Sequence, residues 1–332
     1  MATQKLTLKQ SWLRIAFLII GFAIILLVLE FLGLNPVSIV DAALFAMTPL
    51  ALAAVGEAVN EKAGVVNIGI EGILLISSAV GVYGAELAGN GYVGLLFGFA
   101  VGALLGFIHG FISAYLKADQ IIAGIGVNLF AYGFVPYMLM ALWAFPGIHI
   151  PPKEVLVPVS SMYGFKVSEI TILAVLLAFA FHAILYKTPI GLRIRAAGEA
   201  PEALDVAGAR IYLLRVVTST IGGALAGLGG AFMSLVWFGG IVKEISAGRG
   251  FIALACVVAS GLEPLLSLGF AFLFGFAEGL AYTVAVTPGV KEVVPYHLVL
   301  MTPYIVTLVV VAIFIGKRRF PKAVGIPYSR EF

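Results

Sequence analysis

Gly56-Glu-Ala-Val-Asn-Glu-Lys-Ala-Gly-Val-Val-Asn-Ile-Gly-Ile-Glu-Gly72 is a polar insertion between stretches greasy enough to cross a bilayer. It carries Glu57, Glu61 and Glu71, Asn60 and Asn67, and Lys62. A charged side chain at the bilayer centre costs about 2.5–3.5 kcal/mol on insertion scales, and irregular backbone survives there only against protein or a water-filled cavity. The insertion therefore predicts non-helical backbone over 60–72 and a polar solute passing beside it.

The composition around it defines the class. Of 332 residues, 61% are hydrophobic and 11% are charged, and the mean hydropathy is +1.10. A soluble domain carries roughly 25% charged residues and lacks repeated apolar runs of about 20 residues. A soluble enzyme is excluded, and the chain reads as a polytopic membrane protein in contact with lipid. The net charge of +3 is small, and the basic residues sit in loops, so a nucleic-acid partner gains no support. The single cysteine, Cys256, lies in an apolar run and reads as packing.

Membrane segments read at about 15–32, 41–59, 70–88, 93–116, 121–145, 169–186, 214–236, 250–262, 265–286 and 297–315. The first follows Lys5, Lys9 and Arg14 as a signal peptide would, but it exceeds a usual signal core and no small-residue cleavage site follows, so it is expected to stay as a helix. The stretch 250–262 is too short to cross ~30 Å of hydrocarbon and reads as a half-helix or re-entrant element. The expected fold is all-α: a transmembrane bundle of about ten segments with at least one broken or re-entrant helix.

Lys and Arg gather in 1–14, in 187–215 and from Lys317 onward, which places all three in the cytoplasm together with both termini. Ten segments give the same result. The chain divides as one transmembrane domain: a tail over 1–14, six segments over 15–186, a cytoplasmic loop over 187–213, four segments over 214–316, and a tail over 317–332. The opposite face receives 146–168, with Pro146, Pro151, Pro152 and Pro158, and also 237–248 and 288–296. An external partner could dock there.

The cytoplasmic loop is the second informative stretch: Gly191-Leu-Arg-Ile-Arg-Ala-Ala-Gly-Glu-Ala-Pro-Glu-Ala-Leu-Asp-Val-Ala-Gly-Ala-Arg210. It predicts a short helix. Pro201 suits the first position, Glu199 and Glu202 favour the positive N-terminal end, Gly208 suits the C-terminal cap and Arg210 the negative end. Leu204 and Ala207 should share a face. Two turns are marginal alone in water, so the helix rests on something: its own protein, the membrane, or a soluble partner.

Gly64-Val-Val-Asn-Ile-Gly-Ile-Glu-Gly72, the passage Gly191 to Gly208, Gly222-Gly-Ala-Leu-Ala-Gly-Leu-Gly-Gly-Ala231 and Ala247-Gly-Arg-Gly-Phe-Ile-Ala-Leu-Ala255 follow one another in an order that resembles a known family. The chain resembles the permease subunits of ATP-binding-cassette importers in the branched-chain amino acid and simple-sugar superfamily, most closely the nucleoside branch and its shorter permease. Ala200 stands where that family more often has Asn. The resemblance implies a permease, not an enzyme, in the prokaryotic cell (inner) membrane. It implies a second permease subunit in a heterodimer, a cytoplasmic ATPase engaged by the loop after the sixth segment, and an extracytoplasmic substrate-binding lipoprotein. The loop residues it singles out are Arg193, Arg195, Gly198, Glu199, Pro201, Glu202, Ala207, Gly208 and Arg210.

The residues agree with that division of labour. No Gly-x-x-x-x-Gly-Lys-Ser/Thr phosphate loop occurs, so the chain holds no cofactor and ATP belongs to partner subunits. No His-Glu-x-x-His helix or Gly-x-Ser-x-Gly elbow occurs, and His109, His149, His182 and His297 are scattered. For substrate contact the expected residues are Asn67, Gly69 and Glu71 in the insertion, with Asn128 and Tyr132 one helical turn apart presenting an amide and an aromatic ring. Glu71 has two alternatives, a helix end or Lys62. Glu57 and Glu61 read as structural or gating groups, and Glu278 as an interhelical hydrogen bond in its protonated form or a second functional acid. The Gly223-x-x-x-Gly227 pattern reads as close helix packing, static or sliding. Trp237 and Phe238 read as interfacial aromatics.

The solute expected is small, neutral and polar, most simply a nucleoside, moved by alternating access. Rival readings are a permease of the same superfamily for sugars or branched-chain amino acids, a self-sufficient channel, and an ion-coupled secondary transporter using Glu57, Glu71 and Glu278 as proton or sodium sites.

Overall fold

The computed structural model describes residues 21, 23–31, 33–162, 164–287, 296–314 and 320–329. It is a helical bundle in chain order: α1 Pro36–Lys62, α2 Ile70–Ala88, α3 Gly91–Ala114, α4 Gln120–Trp143, α5 Glu169–Lys187, α6 Pro189–Glu199, α7 Pro201–Val206, α8 Ile211–Phe232, α9 Arg249–Ser260, α10 Pro264–Val286 and α11 Tyr296–Phe314. Each expected stretch from 41–59 to 297–315 falls on a helix. Of the first, 15–32, the described residues 21 and 23–31 are helical, and the rest lies outside the described residues, as do the expected tail 1–14, residues 317–319 and 330–332 of the expected tail 317–332, and most of the link 288–296.

Local chemistry sets the helix ends. Asn35 caps α1, accepting from the Val37 amide at 2.9 Å, with Pro36 at the first position. Asn90, Asp119 and Ser168 cap α3, α4 and α5 in the same way. α8 passes into a π-helical turn, Met233–Trp237, and α9 has 12 residues, about 18 Å, too short to span hydrocarbon.

Among the described residues seven helices are long and apolar enough to cross a membrane, and they separate into two layers. The most apolar stretches of α1, α2 and α8 are 72%, 78% and 67% buried, whereas those of α3, α4, α5 and α10 are between 28% and 39% buried. Leu96, Leu129, Phe130, Leu176 and Phe179 on the outer helices face outward, as lipid contact requires. The outer layer closes tightly at one seam. A Cβ on Gly102 would lie 2.6 Å from the Gly227 Cα, and one on Gly106 would lie 2.9 Å from the Gly223 Cα, so α3 and α8 meet backbone to backbone. Ser219 adds a hydrogen bond to the Gly106 carbonyl at 2.9 Å.

Small strands join the loops at one end of the bundle. β1 Ile148–His149 pairs antiparallel with β4 Ile241–Val242, and β2 Ser160–Met162 forms a hairpin with β3 Phe165–Val167. The loops 146–168 and 237–248, assigned to one face from the sequence, therefore touch. The opposite end gathers the C-terminus of α1, the helices α6 and α7, and residues 320–329.

Two expectations are corrected. The irregular backbone covers 63–69 rather than 60–72, because Glu57, Asn60 and Glu61 stay helical and turn inward as buried groups. The loop over 187–213 holds two helices, not one: Pro201 holds Ala200 out of the helical region (φ −149°, ψ 74°), which ends α6 and starts α7.

Candidate functional site

The site grows from the break between α1 and α2. Gly64, at φ +93°, turns the chain out of α1, and neighbouring helices then take up the freed backbone groups. Gln120 Oε1 accepts from the Val66 amide at 2.7 Å, and His109 Nε2 lies 3.0 Å from the Val66 carbonyl. Glu57 Oε1 accepts from the Asn67 amide at 2.6 Å, and its other oxygen accepts from Asn60 at 3.1 Å. Asn67 Oδ1 accepts from the Gly69 amide at 2.9 Å, forming the turn that starts α2. Asn128 clips the far side, donating to the Ile68 carbonyl at 3.0 Å and accepting from the Gly72 amide at 2.8 Å. Gly69 has to be small, since a Cβ there would press on the Gly124 carbonyl and Val127 of α4 at 3.0 Å.

Glu71 takes the helix-end alternative. Its Oε1 accepts from Ser246 Oγ at 2.6 Å and the Gly248 amide at 2.7 Å, and its Oε2 accepts from the Gly250 amide at 2.7 Å. The carboxylate thus lies in the first turn of α2 and against the N-terminus of α9, where both macrodipoles favour negative charge. Beside it Arg249 pairs with Glu278 of α10, and its guanidinium sits 4.7 Å from the Trp237 ring centre and 5.3 Å from that of Phe238. Glu278 is therefore partnered by a cation across helices, and the two aromatics form the wall of that pair. Tyr304 of α11 donates to the Ala247 carbonyl at 2.9 Å.

The predicted residues are thus partly assembled. Asn67, Gly69, Glu71 and Asn128 meet around one stretch of backbone, the three polar side chains buried and bonded within the chain. Tyr132 is 43% exposed on α4. A separate cavity of about 460 Å³ lies between the head of α1, the β2–β3 hairpin and the π-helical turn, lined by Phe45, Val159, Ser161, Lys166, Val236 and Trp237. Asp41 holds the hairpin there by accepting from the Lys166 amide at 2.9 Å.

At the opposite end, α6 and α7 divide into an inner and an outer face. Gly198 and Pro201 are buried, and Arg195 is half-buried with its guanidinium 5.1 Å from the Tyr186 ring centre. Arg193, Glu199, Glu202, Ala207, Gly208 and Arg210 are exposed. Leu204 is buried beside Ala197, Ile211 and Tyr328, whereas Ala207 is not, so those two do not share a face. Gly208, at φ +80°, closes α7: its amide reaches the Asp205 carbonyl at 2.8 Å and that of Ala209 reaches Leu204 at 3.3 Å. A hollow of about 250 Å³ opens beside it, lined by Tyr115, Asp205, Gly208, Arg210 and Tyr212 among others.

A family described as "Branched-chain amino acid transport system / permease component" matches residues 39–311, which takes in both ends of this site. The chain belongs to this permease family. It is 35% identical over 308 residues to the guanosine ABC transporter permease protein NupQ of Bacillus subtilis, covering 88% of this chain and 96% of that one. It is 32% identical over 302 residues to the nucleoside ABC transporter permease protein NupC of Lactococcus lactis, covering 86% and 94%. It is also 26% identical over 287 residues to NupP, a second guanosine ABC transporter permease protein of B. subtilis, covering 82% of each. No solved structure matches the chain. As a member of this permease family the chain is a multi-pass transport subunit and not an enzyme.

Sequence reasoning missed several of the residues that build the site. Gln120 holds Val66, Ser246 receives Glu71, and Arg215 is buried at the base of α8. Arg215 carried a legible signal, a lone cation at the edge of an apolar span. The others are ordinary polar residues whose partners lie 54 and 175 positions away.

Proposed function

We propose that this chain is one permease of an ATP-driven nucleoside importer in the prokaryotic cell (inner) membrane. The observation that carries the reading is the 35% identity with a guanosine permease along 96% of that relative. The importer pairs the chain with a second, longer permease. The match to both NupQ and NupP supports two permeases in one system, and the fuller coverage of NupQ supports the shorter-partner assignment. A cytoplasmic ATPase and an extracytoplasmic substrate-binding lipoprotein complete it. The chain crosses the membrane in about ten segments with both termini in the cytoplasm.

Transport proceeds by alternating access. The ATPase engages the exposed face of 187–213, with Arg193, Glu199, Glu202, Ala207, Gly208 and Arg210 at the contact and Arg195, Gly198 and Pro201 seating that face on the bundle. The nucleoside enters by the cavity lined by Phe45 and Trp237 and passes the break. Asn67, Gly69, Glu71 and Asn128 meet it when the break exchanges internal partners for the ligand's hydroxyls and amides, and Tyr132 offers an aromatic ring. Family membership supports ATP over an ion gradient as the energy source, and the occupation of Glu71 by three donors and of Glu278 by Arg249 supports structural roles for these acids.

The test is uptake of labelled guanosine and uridine by cells expressing the chain with its partner subunits, challenged with unlabelled glucose and leucine. The expected result is uptake that excess nucleoside blocks and the sugar and amino acid do not. Competition by glucose or leucine alone would reassign the substrate within the family.

A further inference from the structure

Arg215 is fully buried at 0% exposure, and none of the ion pairs among the described residues includes it. A guanidinium out of water needs acceptors on its donor fork. It finds backbone carbonyls from three separate parts of the chain: Ala63 at 3.1 Å, Ile326 at 2.9 Å and Ala197 at 3.4 Å. Their origin is informative. Ala63 caps the C-terminus of α1, where carbonyls lack helical donors. Ala197 lies four residues before Pro201, which has no N–H to give it. Both are the negative ends of helices, one leading into the break and the other in the cytoplasmic loop.

The segment 320–329 crosses the same junction. The Ala323 amide donates to the Gly198 carbonyl at 2.8 Å, the Gly325 amide donates to the Gly64 carbonyl at 3.2 Å, and Tyr328 Oη donates to Asp205 at 2.9 Å. The parts fit without slack. A Cβ on Gly64 would come within 2.6 Å of Arg215 Nη2, and one on Gly198 would lie 3.2 Å from the Pro321 Cβ and press on the Lys62 carbonyl.

We infer that Arg215 and the segment 320–329 form the joint that transmits movement of the 187–213 loop to the break at 63–69, with Arg215 as a positioning residue. The inference rests on the coupling role proposed for that loop. A lysine in place of Arg215 keeps the charge and loses the planar fork that reaches three separated carbonyls. Removing 320–332 leaves the helices' own bonds intact and deletes the links to Gly64, Gly198 and Asp205 together with the Ile326 carbonyl that Arg215 uses.

The experiment compares wild type, Arg215→Lys and a chain ending at residue 319, each assembled with its second permease and ATPase in proteoliposomes with the binding protein. The readouts are complex yield, ATP hydrolysis and guanosine moved per ATP. The joint predicts that guanosine moved per ATP falls about tenfold in both variants, an ordinary size for a coupling between sites, while hydrolysis persists. Unchanged guanosine per ATP in the shortened chain overturns it, even if Arg215→Lys fails to assemble. Loss of yield with an unchanged ratio in what assembles also overturns it, because that is the signature of a purely structural contact. A wild-type complex that moves no guanosine on ATP overturns the function reading, and the joint with it.

Discussion

The break at 63–69 and the loop at 187–213 are both polar, glycine-containing interruptions of an apolar chain, yet they use their polar groups in opposite ways. Around the break, Glu57, Asn67, Glu71 and Asn128 turn inward and bond to backbone or to a neighbouring side chain. In the loop, Arg193, Glu199, Glu202 and Arg210 point away from the bundle, while Ile194, Ala197, Gly198 and Leu204 seat it. Inward polar groups fix geometry in a low-dielectric interior, where every unmade hydrogen bond is costly. Outward ones leave geometry alone and stay open to contact from outside the chain. Composition cannot separate the two, but hydrogen-bond partners can.

Substitutions sharpen the contrast, starting with Glu71→Ala. It strands the Ser246 hydroxyl and the amides of Gly248 and Gly250. At about 1–3 kcal/mol for each buried donor left unmade, stability should fall by more than about 3 kcal/mol, seen as early thermal unfolding of the purified protein in detergent. Wild-type unfolding in this variant would break the claim that the carboxylate builds the site. Asn128→Leu comes next, with one amide and one carbonyl left unpaired and a loss of about 2 kcal/mol.

The loop should respond in the other currency. Glu199→Arg and Glu202→Arg change exposed groups, so unfolding should move by no more than about 0.5 kcal/mol. ATP-dependent uptake should nevertheless fall about tenfold if the ATPase reads this surface. Normal uptake in both would remove the loop from the coupling path. The smallest effect is expected from Tyr132→Ala: unchanged stability on the exposed face of α4 and a KM for guanosine a few-fold higher, of the order of one lost aromatic contact. An unaltered KM would remove Tyr132 from the ligand's route.

These contrasts also explain what was legible in the sequence. Hydrophobic runs placed the helices from 41–59 to 297–315 within a few residues, because a membrane segment must be long, apolar and internally bonded. Pro201 and Gly208 marked the limits of α7 through fixed φ and the left-handed cap, which act locally. What stayed hidden was long-range pairing. That α1 stays helical to Lys62, with Glu57 reaching the Asn67 amide, shortened the break by three residues at its α1 end, and that Arg249 meets Glu278 replaced the expected interhelical hydrogen bond with an ion pair. The partners of Glu71 are 175 or more positions away, and no periodicity in either stretch announces them.

The most direct test of the central claim is guanosine uptake into proteoliposomes holding this chain with its second permease and ATPase, with binding protein and guanosine outside, ATP enclosed and all ion gradients collapsed. The account predicts accumulation that requires ATP hydrolysis and disappears with an ATPase that binds but cannot cleave ATP. Accumulation that needs an ion gradient and ignores the ATPase would contradict it, and would return Glu57, Glu71 and Glu278 to consideration as ion sites.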